Sequence, residues 1–346
     1  MGETFEIRCL SKDFADEQIE VYIKSFQKEE SYADVKDTWV KKHYENPVHE
    51  SYVFGAFDGD RLVSINAYMP MKYHCGDKTI NVIQSCESGT LPEYRGKGLW
   101  SKVVKYAINY FKECGEYDFL IGFPNYENSY GGFVKMNWNH DMEIYNYIMI
   151  ANGKVLAKSI TGKSIPFAGI LGAQKCRLSK GVFDKYTVTT LDYDDFSEWK
   201  SAKDGFCVDI SRGFIEWKKR YKKMITIAIK NNITGATAIG MYSITSFRKE
   251  KIALLFGVFG NDDNIDKKEV MSVAIQTLLN DNKELAFIRT WAMPGSDNEL
   301  AVRKLGFIKS KHHNPFITYS LKSDIVAEEE IRKTGNWKTL TFLDLD

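Results

Sequence analysis

Pro92-Glu93-Tyr94-Arg95-Gly96-Lys97-Gly98-Leu99-Trp100 joins two runs of different periodicity. Ahead of it, Thr79–Thr90 reads as extended. Behind it, Val103, Val104, Ala107, Ile108 and Phe111 recur at helical spacing. The segment is therefore a strand-to-helix connection. Gly96 and Gly98 free the backbone to curl its N–H groups toward one point. The helix N-terminus adds partial positive charge there, and Arg95 and Lys97 add full charges. Together these features make a seat for a phosphate or pyrophosphate.

Working outward, the first half reads β-α-α-β-β-β-α-β-α-β. Phe5–Arg8 is a short strand, and Ala15–Phe26 and Ala33–Tyr44 are helical, ending at Asn46-Pro47. Ser51–Phe57 and Leu62–Lys72 form a hairpin at Asp58-Gly59-Asp60, and Cys75-Gly76-Asp77 turns into the third strand of the meander. The helix at Gly98–Cys114 is followed by a strand at Phe119–Phe123, a short helix at Ser129–Lys135 and a strand at Glu143–Met149. Asn152 to Leu178 is rich in Gly, Ser and Lys and reads as a connector. The order then restarts, with helical patterns at Asp209–Tyr221, Asp266–Leu279 and Asp297–Leu305 and extended runs between them. Trp39-Val-Lys-Lys-His-Tyr44 echoes Trp217-Lys-Lys-Arg-Tyr221, and Lys135-Met-Asn-Trp138 echoes Lys304-Leu-Gly-Phe307. These landmarks predict two copies of one fold, with domains at 1–151 and 181–346 and a connector at 152–180. The second copy carries Asp262, Asp263 and Asp266 where the first has Arg95 and Lys97. Those carboxylates repel a pyrophosphate, so only the first copy is expected to bind one.

Composition narrows the class. At 346 residues, 44% of them hydrophobic, the chain is long and apolar enough for two packed cores. Lys and Arg number 47 against 46 Asp and Glu, a balance that argues against nucleic acid as a partner. No apolar run approaches membrane-spanning length, and the first ten residues lack a signal peptide's pattern. Cys9, Cys75, Cys86, Cys114, Cys176 and Cys207 are widely spaced, the usage of a reduced, cytoplasmic protein. No metal site is expected: His312-His313 is the one close histidine pair, and neighbours on a strand face opposite ways.

Two common phosphate loops do not fit. A Walker A loop needs Lys-Ser/Thr after its glycines, and Gly98-Leu99 supplies neither. A dinucleotide fingerprint opens a βαβ unit, whereas this loop follows an antiparallel meander. The residues resemble the GNAT acetyltransferase superfamily, whose signature is Gln/Arg-x-x-Gly-x-Gly/Ala after a strand. Thr90-Leu91-Pro92-Glu93-Tyr94-Arg95-Gly96-Lys97-Gly98 fits it, with Trp100 in the last Gly/Ala position. Lys304-Leu-Gly306-Phe307 matches the distal Lys-x-Gly-Phe signature, and Lys135-Met-Asn137-Trp138 matches it loosely. Trp39 with Asn46-Pro47, and Phe123-Pro124-Asn125 with Ser129, look most like the two-domain bacterial members tied to cell-surface polysaccharide synthesis.

The resemblance implies an α/β (α+β) protein with two GNAT-like domains. Each is a mixed, mostly antiparallel twisted sheet flanked by helices. It implies acetyl-CoA, or another acyl-CoA, as donor and direct attack by an amine of a small molecule, such as an amino sugar or its nucleotide-linked form. Arg95, Gly96, Lys97, Gly98, Leu99 and Trp100 then hold the pyrophosphate. The pantetheine arm runs beside Cys86–Leu91, and an N–H near Ser88, Gly89 or Thr90 polarises the thioester carbonyl. Leu91 completes that donor strand. Glu87 on this strand is the first choice for the base and Glu127 the second. Phe133 stands where relatives carry a proton-donating tyrosine, so Tyr130, one turn earlier, takes that part. Asn125 and Ser129 either bind the pantetheine arm or cap the following helix. Cys86 reads as a packed thiol. Trp39, Trp138, Trp217 and Trp291 either line a sugar cleft or pack in cores. The alternatives are a Fem-type aminoacyltransferase, against which the neutral charge counts, and an acyl-CoA-binding protein without turnover.

Overall fold

A computed structural model describes residues 4–161, 163, 165, 167–168, 181–191, 205–247, 250–260, 265–322 and 337–339. Its strands are β1 (Glu6–Leu10), β2 (Tyr52–Asp58), β3 (Arg61–Cys75), β4 (Lys78–Thr90), β5 (Phe119–Gly122), β6 (Asn139–Ile150) and β7 (Tyr186–Thr190). They continue with β8 (Phe206–Val208), β9 (Ile225–Asn231), β10 (Thr237–Phe247), β11 (Glu250–Gly260), β12 (Phe287–Ala292), β13 (Ile308–Ser320) and β14 (Trp337–Thr339). The helices are α1 (Ala15–Phe26), α2 (Tyr32–Trp39), α3 (Leu99–Cys114), α4 (Tyr130–Lys135), α5 (Gly153–Thr161), α6 (Arg212–Lys222), α7 (Lys267–Asp281) and α8 (Asp297–Lys304). A π-helical turn, Val40–Tyr44, follows α2 directly. No helix among the described residues is long and apolar enough to cross a membrane.

The chain forms two compact units. The first is Met1–Met142 with Ala202–Tyr221 and Pro315–Leu340, and the second is Glu143–Ser201 with Lys222–Asn314 and Thr341–Asp346. The first unit runs β1-β2-β3-β4-β5 and then the last part of β13, where Ile317–Ser320 pairs antiparallel with β5. Its β4–β5 pair is parallel and the rest of that path antiparallel, so the sheet is mixed and mostly antiparallel. The second unit runs β7-β9-β10-β11-β12-β6, again with one parallel pair, β11–β12.

Local chemistry sets these elements. Ser31 caps α2, accepting from the Asp34 amide at 3.2 Å. The β2–β3 turn closes on Gly59 at φ +58°, as the Asp-Gly-Asp sequence requires. α3 ends on Gly115 in the left-handed region. Its apolar stripe (Leu99, Val103, Val104, Ala107, Ile108, Phe111) is buried, the set that the spacing singled out with Leu99 added. Phe111 meets Phe54 and Tyr68 edge-on at 5.6 and 5.3 Å. Each such side chain contributes about 1.5–3 kcal/mol through burial, which fixes α3 on the sheet.

One repeat landmark holds and the other does not. At the end of α4, the Trp138 amide donates to Phe133 O and Asn137 to Val134 O, with Asn137 at φ +62°. At the end of α8, Phe307 donates to Val302 O and Gly306 to Arg303 O, with Gly306 at φ +93°. Both helices close with the same left-handed cap. Trp217, by contrast, is no counterpart of Trp39. It lies on α6, in the first unit, with its indole N–H donating 2.8 Å to Lys41 O. A contiguous second domain at 181–346 therefore gives way to an interleaved division. The indole must bury its rings and satisfy its N–H, and it does both in the first unit. Within the expected connector, Gly153–Thr161 is the helix α5, whose Val155 and Leu156 pack on Ile252, Ala286 and Phe287.

Candidate active site

The parallel β4–β5 ladder spans Val82–Ser85 against Phe119–Gly122 and stops there. Beyond Ser85, β4 pairs among the described residues only with β3. The β3–β4 register slips at the same place: Ala67 faces Cys86 and Ile65 faces Gly89, so Asn66 stands opposite both Glu87 and Ser88. This is a β-bulge, with Glu87 at φ +40°. The buried strand becomes partly exposed from Ser85 to Ser88. The β4 edge beyond Ser85 thus has no strand partner on the β5 side among the described residues.

The loop beyond the strand leaves a helix start without a side-chain cap. Gly96 and Gly98 sit at φ +79° and +71°, a region closed to most side chains. Gly98 is the N-cap of α3, which has no side-chain cap, so the helix's positive end is open. Arg95 is tied into the fold. Its guanidinium donates to Thr90 O at 3.3 Å and to Ser25 O at 2.8 Å, tying the loop to β4 and to the end of α1. Glu93 and Tyr94 bind Arg61 and Asp58, both at the β2–β3 turn, at 2.6 and 2.7 Å. Leu91 is buried, and its amide donates to Val63 O. Leu99 is buried beneath the helix start. Trp100 turns sideways onto α4, edge-on to Phe133 at 4.9 Å. Its ring occupies the space over Gly132, where a Cβ would come within 2.3 Å. Lys97 remains exposed at the loop's tip.

Glu87 lies in a charged cluster that sequence reasoning missed. Lys42 Nζ donates to Glu87 Oε1 at 2.5 Å, with the two side chains 9% and 13% exposed. His43 Nε2 is 3.5 Å from Glu87 Oε2, and His43 Nδ1 is 3.0 Å from Ser51 Oγ. Burial pushes the Glu87 carboxyl up, but the Lys42 and His43 charges outweigh it and hold its pKa at about 2. Both partners come from the π-helical turn, whose wider winding places successive residues Lys42 and His43 inward. A 3.6-residue periodicity does not reveal that turn. The available sequence signal was Asn66, a polar residue in an apolar strand. His43, Cys86 and Glu87 bring one ligand atom each within 4.8 Å of one another. The Lys42 ammonium on the same carboxylate opposes a divalent cation there.

The remaining candidates fall into two groups. Tyr130 presents its hydroxyl 2.9 Å from His140 Nδ1, at the start of α4. Asn125 and Ser129 bond to each other: Ser129 Oγ accepts from the Asn125 amide at 3.2 Å, and Asn125 O accepts the Ser129 and Tyr130 amides. Asn125 Oδ1 accepts the amide of Glu127, which is itself exposed. These contacts build the turn that starts α4. Trp39, Trp138, Trp217 and Trp291 are 0–4% exposed, so none offers a ring face to a sugar. Asn261–Asn264 of the second loop lie outside the described residues.

Residues 6–140 match the acetyltransferase (GNAT) domain family. That stretch of the chain, in the first unit, is thus similar to the GNAT domain of N-acetyltransferase enzymes. In fold it is similar to a probable N-acyltransferase of unknown function from Enterococcus faecalis, at 12% identity and a TM-score of 0.65, covering 92% of this chain and 73% of that one. It is also similar to a GCN5-related N-acetyltransferase from Anabaena variabilis, at 8% identity and 0.63, with coverage of 92% and 73%. A tandem GNAT protein from the clavulanic acid biosynthesis pathway matches at 10% and 0.58, with coverage of 92% and 99%. At these identities the likeness is one of fold. No curated protein matches the chain in sequence.

Proposed function

We propose that the protein is a cytoplasmic N-acyltransferase that carries the acetyl group of acetyl-CoA to an amine of a small molecule. One observation carries this reading: β4 loses its parallel partner and bulges at the residues that lead into an uncapped, glycine-bounded helix start. The pyrophosphate sits on the α3 amides, and the pantetheine arm extends along Cys86–Thr90. A bulge amide near Ser88 polarises the thioester carbonyl. The acceptor nitrogen attacks that carbon, a C–N bond forms, and the C–S bond breaks. A carboxylate held as acidic as Glu87 is a poor proton store. Its part is to help orient the acceptor, whose proton passes to water, because Lys42 and His43 already stand at its two oxygens. Tyr130 protonates the departing thiolate, with His140 behind it.

Calorimetric titration with CoA and acetyl-CoA tests the donor site, with one saturable site per chain expected. Thiol release from acetyl-CoA across an amine panel, beginning with amino sugars and their nucleotide-linked forms, tests the reaction. Absence of CoA binding overturns the proposal. The Lys42–Glu87 pair favours a second reading, CoA binding without turnover, because the carboxylate already has a cationic partner. Tight CoA binding with no thiol release from any amine would establish it.

A further inference from the structure

Asn66 is fully buried in the middle of β3 and stands opposite the bulge. Its Nδ2 donates to Ser85 Oγ at 3.2 Å, and its Oδ1 accepts from Ser88 Oγ. One amide therefore grips β4 on both sides of Cys86 and Glu87. Asparagine suits this task because it presents a donor and an acceptor on one rigid plane. Ser64, two residues back on the same face of β3, continues the grip: its Oγ donates to Gly89 O at 3.1 Å and lies 2.8 Å from Thr90 Oγ1. Polar residues of β3 thus hold β4 along the stretch that has lost β5. Glu87 needs such a hold, because φ +40° disfavours any residue with a Cβ. Lys42 and His43 fix its carboxylate from the other side.

We propose that Asn66 is a positioning residue: its amide locks the β4 bulge and so aims Glu87, and the backbone N–H groups beside it, at the reacting thioester. The catalytic part of this rests on the acyltransferase reading above, whereas the lock itself does not.

The test separates the two. In protein labelled with carboxyl-13C glutamate, the Glu87 resonance is followed against pH in the wild type, Asn66→Ala, Ser85→Ala/Ser88→Ala and the triple variant. CoA affinity is measured on the same samples. Freed from the lock, Glu87 turns away from Lys42 in Asn66→Ala, and its titration moves up by about one pH unit or more. CoA affinity stays within about threefold, because the α3 amides are untouched. The double serine variant reproduces the shift, and adding Asn66→Ala to it moves nothing further, since both act through the same two bonds. Thiol release with the panel amines falls in kcat and not in the KM for acetyl-CoA. An unmoved Glu87 titration in Asn66→Ala, or a shift that adds to that of the serine pair, overturns the lock. Should Asn66→Ala fail to fold, Ser88→Ala alone, at a partly exposed position, decides the matter by the same titration. If the wild type binds no CoA while Asn66→Ala still shifts the Glu87 titration, the acyltransferase reading is overturned and the lock stands.

Discussion

β4 and β11 hold the same place in their units, yet beyond their parallel pairing one is partly exposed and the other buried. Both pair in parallel with a short neighbour, over Val82–Ser85 and Ala253–Leu255, and both slip register just beyond it. In the first unit the next residues are Cys86, Glu87 and Ser88, partly exposed. In the second they are Phe256, Gly257 and Val258, all buried, with Phe256 stacked on Trp291 at 6.4 Å and 5°. The helix starts differ in the same sense. α3 has no side-chain cap behind Gly98, whereas Asp266 caps α7 and accepts the Glu269 amide at 3.0 Å. An acid there stabilises the helix and repels a phosphate. A shared backbone thus supplies a cleft only where side chains leave it polar and uncapped.

The largest effect expected from breaking this contrast is structural. Phe256→Ala removes a buried ring that stacks on Trp291 and should destabilise the second unit by about 3–5 kcal/mol. Calorimetry should still find a single CoA per chain. A second bound CoA would mean that the ring alone excludes the ligand.

Next comes the charged cluster that only the first cleft possesses. Lys42→Met leaves Glu87 buried without its ammonium, at a cost of about 3 kcal/mol near neutral pH. The sign of the pH dependence follows from the depressed carboxyl. Its stabilising contribution is complete above the unfolded value, near 4.5, and is lost as pH falls toward about 2. Denaturant unfolding should therefore show a wild-type advantage that shrinks between pH 4.5 and 2. A constant gap across that range would show that the pair does not govern this part of the stability profile.

How much of this was legible beforehand depends on the kind of interaction. The α3 stripe, the hairpin at Gly59 and the open glycine loop follow from local spacing, and they were readable. The left-handed cap at Asn137 was readable because few residues tolerate that geometry. Lys42 was not, because its partner lies 45 positions away and its direction comes from a π-turn that no simple period marks. Arg95 shows the converse. Its charge pointed to a phosphate, but two backbone carbonyls hold its guanidinium. Trp217 looked like a repeat of Trp39 because both precede basic residues, and only packing places it in the first unit. A motif predicts which backbone will form more reliably than which partner a long side chain will choose.

Moving the acid from one helix start to the other sharpens the comparison. Gly98→Asp gives α3 the kind of cap that α7 has. The left-handed backbone there makes the substitution cost about 1 kcal/mol in stability. The carboxylate now faces the pyrophosphate, so CoA affinity should fall about 100-fold, or about 2.7 kcal/mol. Calorimetry at two salt concentrations checks the cause, because a repulsion between charges weakens as salt screens it. A loss that does not respond to salt would point to a distorted loop instead.

The smallest effect is the reverse exchange. Asp266→Ala strips the α7 cap and leaves the Glu269 amide without its acceptor. About 1 kcal/mol of stability should go with it, read as a lower denaturation midpoint at unchanged slope. CoA binding should not move, because the substitution leaves the buried Phe256–Trp291 stack on β11 and β12 unchanged. If Asp266→Ala alone produced a second CoA site, the cap would be the barrier and the apolar filling incidental. If only the pair with Phe256→Ala did so, both obstacles would be needed to close what the shared fold leaves available.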